Sequence, residues 1–374
     1  MRLSSVMLAA AGLLVPVYSR AIISIGRRAG GLNVNLSSTG NTKVLISVTN
    51  TGSSDISVLK TNTFFDRSPT KKVNVYREDP NVAGSEKEVP FNGIHLRYTT
   101  SNLTKDDFQF IAPGQTIDTE FDLAETLDLS ESGNYVASSQ GVFPFSNAQY
   151  NGISGVIPFK SNEIKIKVDG KQAAKVLSVR TNYDHLARRA DINDGGCDDQ
   201  QKPVISSALK RASGIAASAS NAALNGDVRV FEQFFRTTDT TARQQVSDRF
   251  RAIAREAGNS PGGVVKFRCD DTMNVCQQNI VAYALSGSKV IVNCPTYYTI
   301  AATSQQCDVG DQALTAIHEL SHIDAVYSPA TADHAYGEDA SLALSSDMAL
   351  MNADTYTYYA NGDSNGQSSK LFTE

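Results

Sequence analysis

His318-Glu319-Leu320-Ser321-His322 sets two imidazoles four residues apart, with a carboxylate beside the first. On a helix, positions i and i+4 share one face, so both rings can reach a single metal ion. Glu319, one step round, then lies beside a water polarised by that ion, the arrangement needed for hydrolysis. The chain has only five histidines, which makes chance spacing rare and leaves two helical histidines packed in a core as the lesser reading. A catalytic zinc takes three protein ligands and keeps one position open. A glycine at 325 and a histidine at 328 would complete one common ligand spacing, but Ala325 and Ser328 stand there. The remaining supply is acidic: Asp324, Asp333, Glu338, Asp339, Asp347 and Asp354. Asp324 is too near along the same helix to close the site. Asp333, on a loop beyond it, is geometrically easier. Asp354 is the alternative, either as ligand or as the acidic wall of a pocket receiving a Lys or Arg side chain.

The helix carrying the motif is expected from about Asp311 to Ala325, and another from about Asp339 to Tyr358. Upstream, the Ala-rich stretch Val204 to Leu224 has apolar residues at helical spacing, and Val228 to Ala257 continues that period with interleaved Arg, Asp and Glu. Between these helices and the motif, Val264-Val265-Lys266-Phe267 and Lys289-Val290-Ile291-Val292 are β-branched runs that predict a small antiparallel sheet. Residues 20–180 follow a different period. Lys43-Val44-Leu45-Ile46-Ser47-Val48, Val73-Asn74-Val75-Tyr76 and Glu163-Ile164-Lys165-Ile166-Lys167-Val168 alternate, with turns such as Asn50-Thr51-Gly52 and Ala112-Pro113-Gly114 between such runs. Many short strands without helices predict a sandwich-like antiparallel arrangement.

At 374 residues, the chain exceeds one ordinary hydrophobic core. Arg2, the apolar run Val6 to Val17 and the small residues around Ser19 read as a secretory leader, residues 1–19, too short to span a bilayer. Arg188-Arg189 falls where strand periodicity gives way to helical periodicity, just before the first cysteine. It reads as a processing site for a secretory-pathway protease, dividing a β-rich propeptide, residues 20–189, from a catalytic domain, residues 190–374. All five cysteines lie in the second half, as export permits disulfides, so a propeptide would have no thiolate with which to cap a metal. Occlusion by the β-rich part, or ligation by a residue such as Asp184 or His185, would then keep the precursor silent. Asn35-Leu36-Ser37 and Asn102-Leu103-Thr104 are acceptor triplets for N-glycans.

The net charge of −5 is uneven: from residue 271 onward two basic residues face twelve acidic ones. Such a field draws basic substrates, or a basic pro-region, toward an acidic domain. It offers no footprint for nucleic acid, and no later segment is long and apolar enough for a membrane helix.

The motif helix, the segment Ala330-Thr331-Ala332-Asp333-His334-Ala335-Tyr336-Gly337 and the segment Asn352-Ala353-Asp354-Thr355-Tyr356 together resemble deuterolysin, the fungal neutral protease 2 or aspzincin group. The layout is similar along the whole chain and most specific over residues 197–356. One departure is Ala330, where the group usually has glycine before the threonine, which predicts an altered loop backbone. The resemblance implies a zincin catalytic domain, mainly helical and α+β, holding one Zn2+ on His318, His322 and Asp333. It implies Glu319 as catalytic base, Tyr336 as a group contacting the reacting carbonyl, and importance for Tyr297 in Cys294-Pro295-Thr296-Tyr297. It also implies Asp354 at the site and the disulfides Cys197–Cys269 and Cys276–Cys294, and leaves Cys307 without the C-terminal partner found in relatives. The expectation is thus a secreted, extracellular zinc metallo-endopeptidase made as a zymogen, with protein or peptide substrates that are preferably basic. The rivals are a secreted zinc-containing binding protein with an inert metal site, for which Glu319 would have no use, and a metal-dependent hydrolase of non-peptide bonds.

Overall fold

Alternation drives the first half of the chain into strands. In β1 (Leu32–Ser38) Leu32, Val34 and Leu36 are buried and Asn33 and Asn35 exposed; in β2 (Lys43–Asn50) Val44, Ile46 and Val48 are buried. The two pair antiparallel with Val34 opposite Val48 and Leu36 opposite Ile46, so the apolar residues share one face. β8 (Thr116–Asp122) adds to β2 and completes a three-stranded sheet. A second sheet has the order β11 (Gly155–Lys160), β10 (Gln140–Ser146), β3 (Ile56–Leu59), β7 (Phe108–Ile111). A third runs β12 (Ile164–Val168), β9 (Gly133–Ser138), β4 (Asn74–Glu78), β5 (Glu86–Glu88). All their pairings are antiparallel. Val34, Ile46, Val58, Val75, Phe143 and Ile166 from the three sheets meet in one core. The computed structural model describes residues 31–79, 86–101, 103–146, 150, 152–183, 195–259, 262–277, 279–304 and 310–364. The leader, Asn102, Asp184, His185, Arg188, Arg189 and Cys307 lie outside the described residues.

After a short helix α1 (Gly170–Ala173), the described second half begins with α2 (Gln201–Asn225), whose buried stripe is Ala208, Ala212, Ala216, Ala219 and Ala223. Small side chains let α4 (Thr240–Gly258) lie close alongside, with Ser220 Oγ 2.9 Å from the Ser247 hydroxyl. The helix expected over 228–257 is two. α3 (Val228–Phe235) ends where Arg236 turns to a left-handed φ of 56°, and Asp239 starts α4 by accepting the Ala242 N–H. Phe231, Phe235 and Phe250 pack from these helices into a core shared with Leu314, Ile317, Tyr356 and Tyr359.

The sheet of this half also departs from expectation. Its order is β13 (Lys266–Arg268), β15 (Val290–Asn293), β14 (Ile280–Leu285), β6 (Ile94–Tyr98). β13 and β15 run parallel, and β6 comes from the first half of the chain. Leu96 pairs with Tyr283, His95 with Ala284 and Arg97 with Ala282. Ile94, Leu96 and Tyr98 enter a third apolar cluster with Ile280, Tyr283, Leu285 and Val292, which ties the two halves together. Disulfides Cys197–Cys269 and Cys276–Cys294 pin the segments flanking this sheet.

Helix α5 (Gln312–Ser321) carries the motif through the middle of the second core. The single helix expected over 339–358 is instead α6 (Glu338–Leu342), α7 (Ser346–Ala349) and α8 (Ala353–Ser364). The break before α8 lets Asn352 turn back onto the loop after α5, where Ala332 and Asn352 form an isolated bridge. Among the described residues no helix is long and apolar enough to cross a membrane.

Candidate metal centre

α5 is buried on every side, as a core helix should be. Asp311 caps it, one carboxylate oxygen accepting the Leu314 N–H at 2.8 Å and the other the Ser304 N–H at 2.8 Å. His318, Glu319 and His322 are buried at its C-terminal end.

The two imidazoles have their tautomers fixed by their neighbours. His322 Nδ1 lies 3.0 Å from the Thr331 carbonyl, which can only accept, so Nδ1 carries the proton. His318 Nδ1 lies 2.8 Å from Asp354 Oδ1, a carboxylate likewise accepting. Both Nε2 lone pairs then face inward, 3.3 Å apart, and cannot be bonded to each other. Asp333 Oδ1 completes a triangle, 3.3 Å from His318 Nε2 and 3.2 Å from His322 Nε2. It is buried and has no hydrogen-bond donor among the described residues. Ligands of tetrahedral zinc at 2.0–2.1 Å stand about 3.3 Å from one another. The triangle therefore has the edges of a zinc site, with an orphaned oxygen at one corner, and the residues present fit the ion.

Asp333 is held by a framed loop. The Thr331 N–H donates to the Ser321 carbonyl at 3.0 Å, and the Ser321 and Thr331 hydroxyls meet at 2.6 Å. On the other side, Asn352 Oδ1 accepts the N–H groups of His334 at 2.9 Å and Ala335 at 3.0 Å. Alanine is accommodated at 330, where φ is not positive and glycine's extra freedom is not required. Gly337 differs: at φ 84°, ψ 159° it occupies a region essentially open to glycine alone. There its N–H donates to Asp354 Oδ2 at 2.8 Å.

Burial and charge oppose each other throughout. Burial would raise Asp333, but His322, His318 and His95 hold its carboxyl well below the usual range. Burial would lower His318, but the Asp333 and Asp354 carboxylates push it up to about 9. The carboxylates thus favour positive charge at this cluster. Glu319 is pushed up to about 8, chiefly by burial, and neither of its oxygens has a hydrogen-bond partner among the described residues. Burial also lowers His95 to about 4, assisted by His322 and opposed by Asp333.

The structure brings His318, Glu319, His322, Asp333, Tyr336 and Asp354 together. Asp354 faces the far nitrogen of His318, the place of a carboxylate that orients a metal-binding imidazole. Tyr297 lies elsewhere, buried in the helical core with its hydroxyl 3.5 Å from the Gln312 carbonyl. Three residues assigned no role from the sequence also belong here: His95, Arg97 and Asn352. His95 stacks on His322 at 4.1 Å, with Nδ1 3.5 Å from Asp333 Oδ2. The Arg97 guanidinium is paired with Asp354. The Tyr336 hydroxyl donates to the Leu96 carbonyl at 2.5 Å. The alternation Ile94-His95-Leu96-Arg97-Tyr98 was the available signal, but it marks a strand and not its partner.

A buried helix with paired histidines, an acidic third donor and an adjacent unpaired glutamate defines a metallohydrolase centre. The family model of the deuterolysin metalloprotease (M35) family matches residues 1–370. A neutral protease 2 homolog of Blastomyces gilchristii is 66% identical over 362 residues, covering 96% of this chain and 98% of the relative. Neutral protease 2 homolog MEP3 of Coccidioides posadasii is 38% identical over 366 residues, with 98% and 100% covered, and neutral protease 2 of Aspergillus oryzae 39% over 337 residues, with 90% and 92%. The chain belongs to the deuterolysin metalloprotease family and is a zinc metalloendopeptidase.

Proposed function

We propose that this peptidase is secreted as a zymogen, with His318, His322 and Asp333 as zinc ligands and Glu319 as general base. The observation that carries the reading is the triangle of donor atoms at 3.2–3.3 Å beside an unpaired, buried Glu319. Zinc, when bound, lowers the pKa of water to about 7 and polarises a carbonyl. Glu319 accepts the proton of the attacking water and hands it to the leaving amine. Burial raises its pKa, which favours the protonated carboxyl that gives its proton to the leaving amine, while the charge of zinc, when bound, would favour the carboxylate that takes it. The Tyr336 hydroxyl, which already donates to a main-chain carbonyl, supplies a hydrogen bond to the developing oxyanion. Asp354 orients His318 and, on the same site, attracts a basic side chain next to the bond being cut. The Arg97 guanidinium resting on it supports that preference.

Secretion rests on the leader at residues 1–19, and processing on Arg188-Arg189, cut by a secretory dibasic protease; glycosylation would fall on the exposed Asn35. The test is Glu319→Gln. Zinc content should stay at that of the wild type while kcat/KM on a peptide falls by about three orders of magnitude, within the range for a general base. Retained activity at a tenth of wild type or more would remove Glu319 from the role.

A further inference from the structure

Strand β6 lies against the metal centre as an extended peptide would. It pairs antiparallel with β14 at the open edge of the sheet, through Leu96 with Tyr283 and Arg97 with Ala282, the mode by which a strand is added to a sheet edge. Its Leu96 N–H donates to Asp333 Oδ2 at 3.3 Å, and its Leu96 carbonyl accepts from Tyr336 at 2.5 Å. Its Arg97 is buried on Asp354 and near the ring of Tyr358, 5.9 Å from the centroid. Main chain and side chain are both engaged, and all five residues of the strand are buried.

His95 is the residue this docking brings to the metal side. Its ring lies parallel to that of His322, 7° between planes and 4.1 Å between centroids. One ring nitrogen of His95, one of His322 and an oxygen of Asp333 all lie within 4.8 Å of one another. A neutral imidazole keeps one lone pair in its ring plane, and the His95 ring would have to turn out of its stack on His322 to aim that lone pair at the ion. A three-residue catalytic zinc has one further position, which water must hold for hydrolysis.

We propose that His95 is the fourth ligand of the zinc in the uncut chain, taking the position of the water and so silencing the enzyme. The imidazole lone pair replaces a water molecule, with no covalent bond made or broken. β6 holds it there by occupying the edge of β14, and release of the strand restores the water. The silencing group is thus an imidazole delivered by a strand; Asp184 and His185, the other ligands the sequence offered for this role, lie outside the described residues. This inference rests on the zinc-peptidase reading of His318, His322 and Asp333.

The test uses the full chain kept uncut by Arg188→Ala and Arg189→Ala, labelled with 15N-histidine and loaded with 113Cd. Cadmium splits the resonance of each nitrogen bound to it. Three coupled imidazole nitrogens are expected, falling to two in both His95→Gln and His95→Asn with one cadmium still bound per chain. Zinc affinity, measured by competition with a chelator, should fall at least tenfold in the same variants. Two coupled nitrogens in the parent chain, or three in a folded His95 variant, would overturn the proposal while leaving the zinc-peptidase reading intact. Failure to bind one cadmium per chain would overturn both. If neither variant folds, the count in the parent chain decides.

Discussion

Residues 331–337 and strand β6 reach one buried cluster from opposite directions in the sequence. The first follows the motif helix within a dozen residues, is framed by hydrogen bonds to Ser321 and Asn352, and carries Asp333. The second lies more than 200 residues upstream and arrives only because β14 has an open edge. The local segment is tied to the helix by the chain itself and framed by Ser321 and Asn352, and only its Asp333 and Tyr336 side chains reach across to Leu96 of β6. The strand's geometry depends on contacts remote in sequence: its pairing with β14, the apolar cluster that takes Ile94, Leu96 and Tyr98, and what Arg97 and Leu96 touch at the centre. One region builds the centre; the other covers it.

That contrast can be broken at Arg97. Arg97→Met in the full chain removes the cation from a buried pair and leaves Asp354 with His318 and Gly337 alone. Removing one partner of such a pair costs about 3–5 kcal/mol. Hydrogen-exchange protection of the β6 and β14 amides should fall by a comparable free energy, with the protection of α2 and α4 retained. Unchanged protection at β6 would mean that the strand is not held there by its arginine.

A smaller effect sharpens the other side. Asp354→Asn keeps the size of the group but weakens the carboxylate that orients His318. Zinc affinity should fall by about 10–100-fold, the usual cost of losing such a partner. The preference for Lys over a neutral side chain in kcat/KM should shrink in the same variant at both low and high salt, because a contact pair is screened far less than a surface field. A preference that vanishes with salt in the wild type would assign it instead to the acidic surface of residues 271–374.

The centre was legible where chemistry and spacing coincide along the chain. Histidines at i and i+4 with an interposed glutamate predict a metal-binding helix, and the loop beyond it offers Asp333. The need for Gly337 becomes clear only from its backbone angles and its N–H on Asp354. Asn352 opens a segment that carries the resemblance, but its clamp on His334 and Ala335 could not be read, because nothing in a polar side chain's type says which loop it will hold. His95 and Arg97 were missed for a related reason. A period of two assigns faces to a strand, and polar residues on one face suggest solvent; here both faces are covered. Periodicity likewise ran α3 into α4, although Thr237-Thr238-Asp239 held the cap that separates them. Tyr297, marked by its motif, sits in the core as aromatic side chains commonly do.

Asp333, and not Asp354, is the proposed third ligand of the zinc. Anomalous diffraction at the zinc absorption edge, on crystals of the purified enzyme, tests it most directly. One ion is expected at about 2.0–2.2 Å from His318 Nε2, His322 Nε2 and Asp333 Oδ1, with Asp354 still on His318 Nδ1. An ion bound by an Asp354 oxygen, with Asp333 turned away from it, would contradict this assignment.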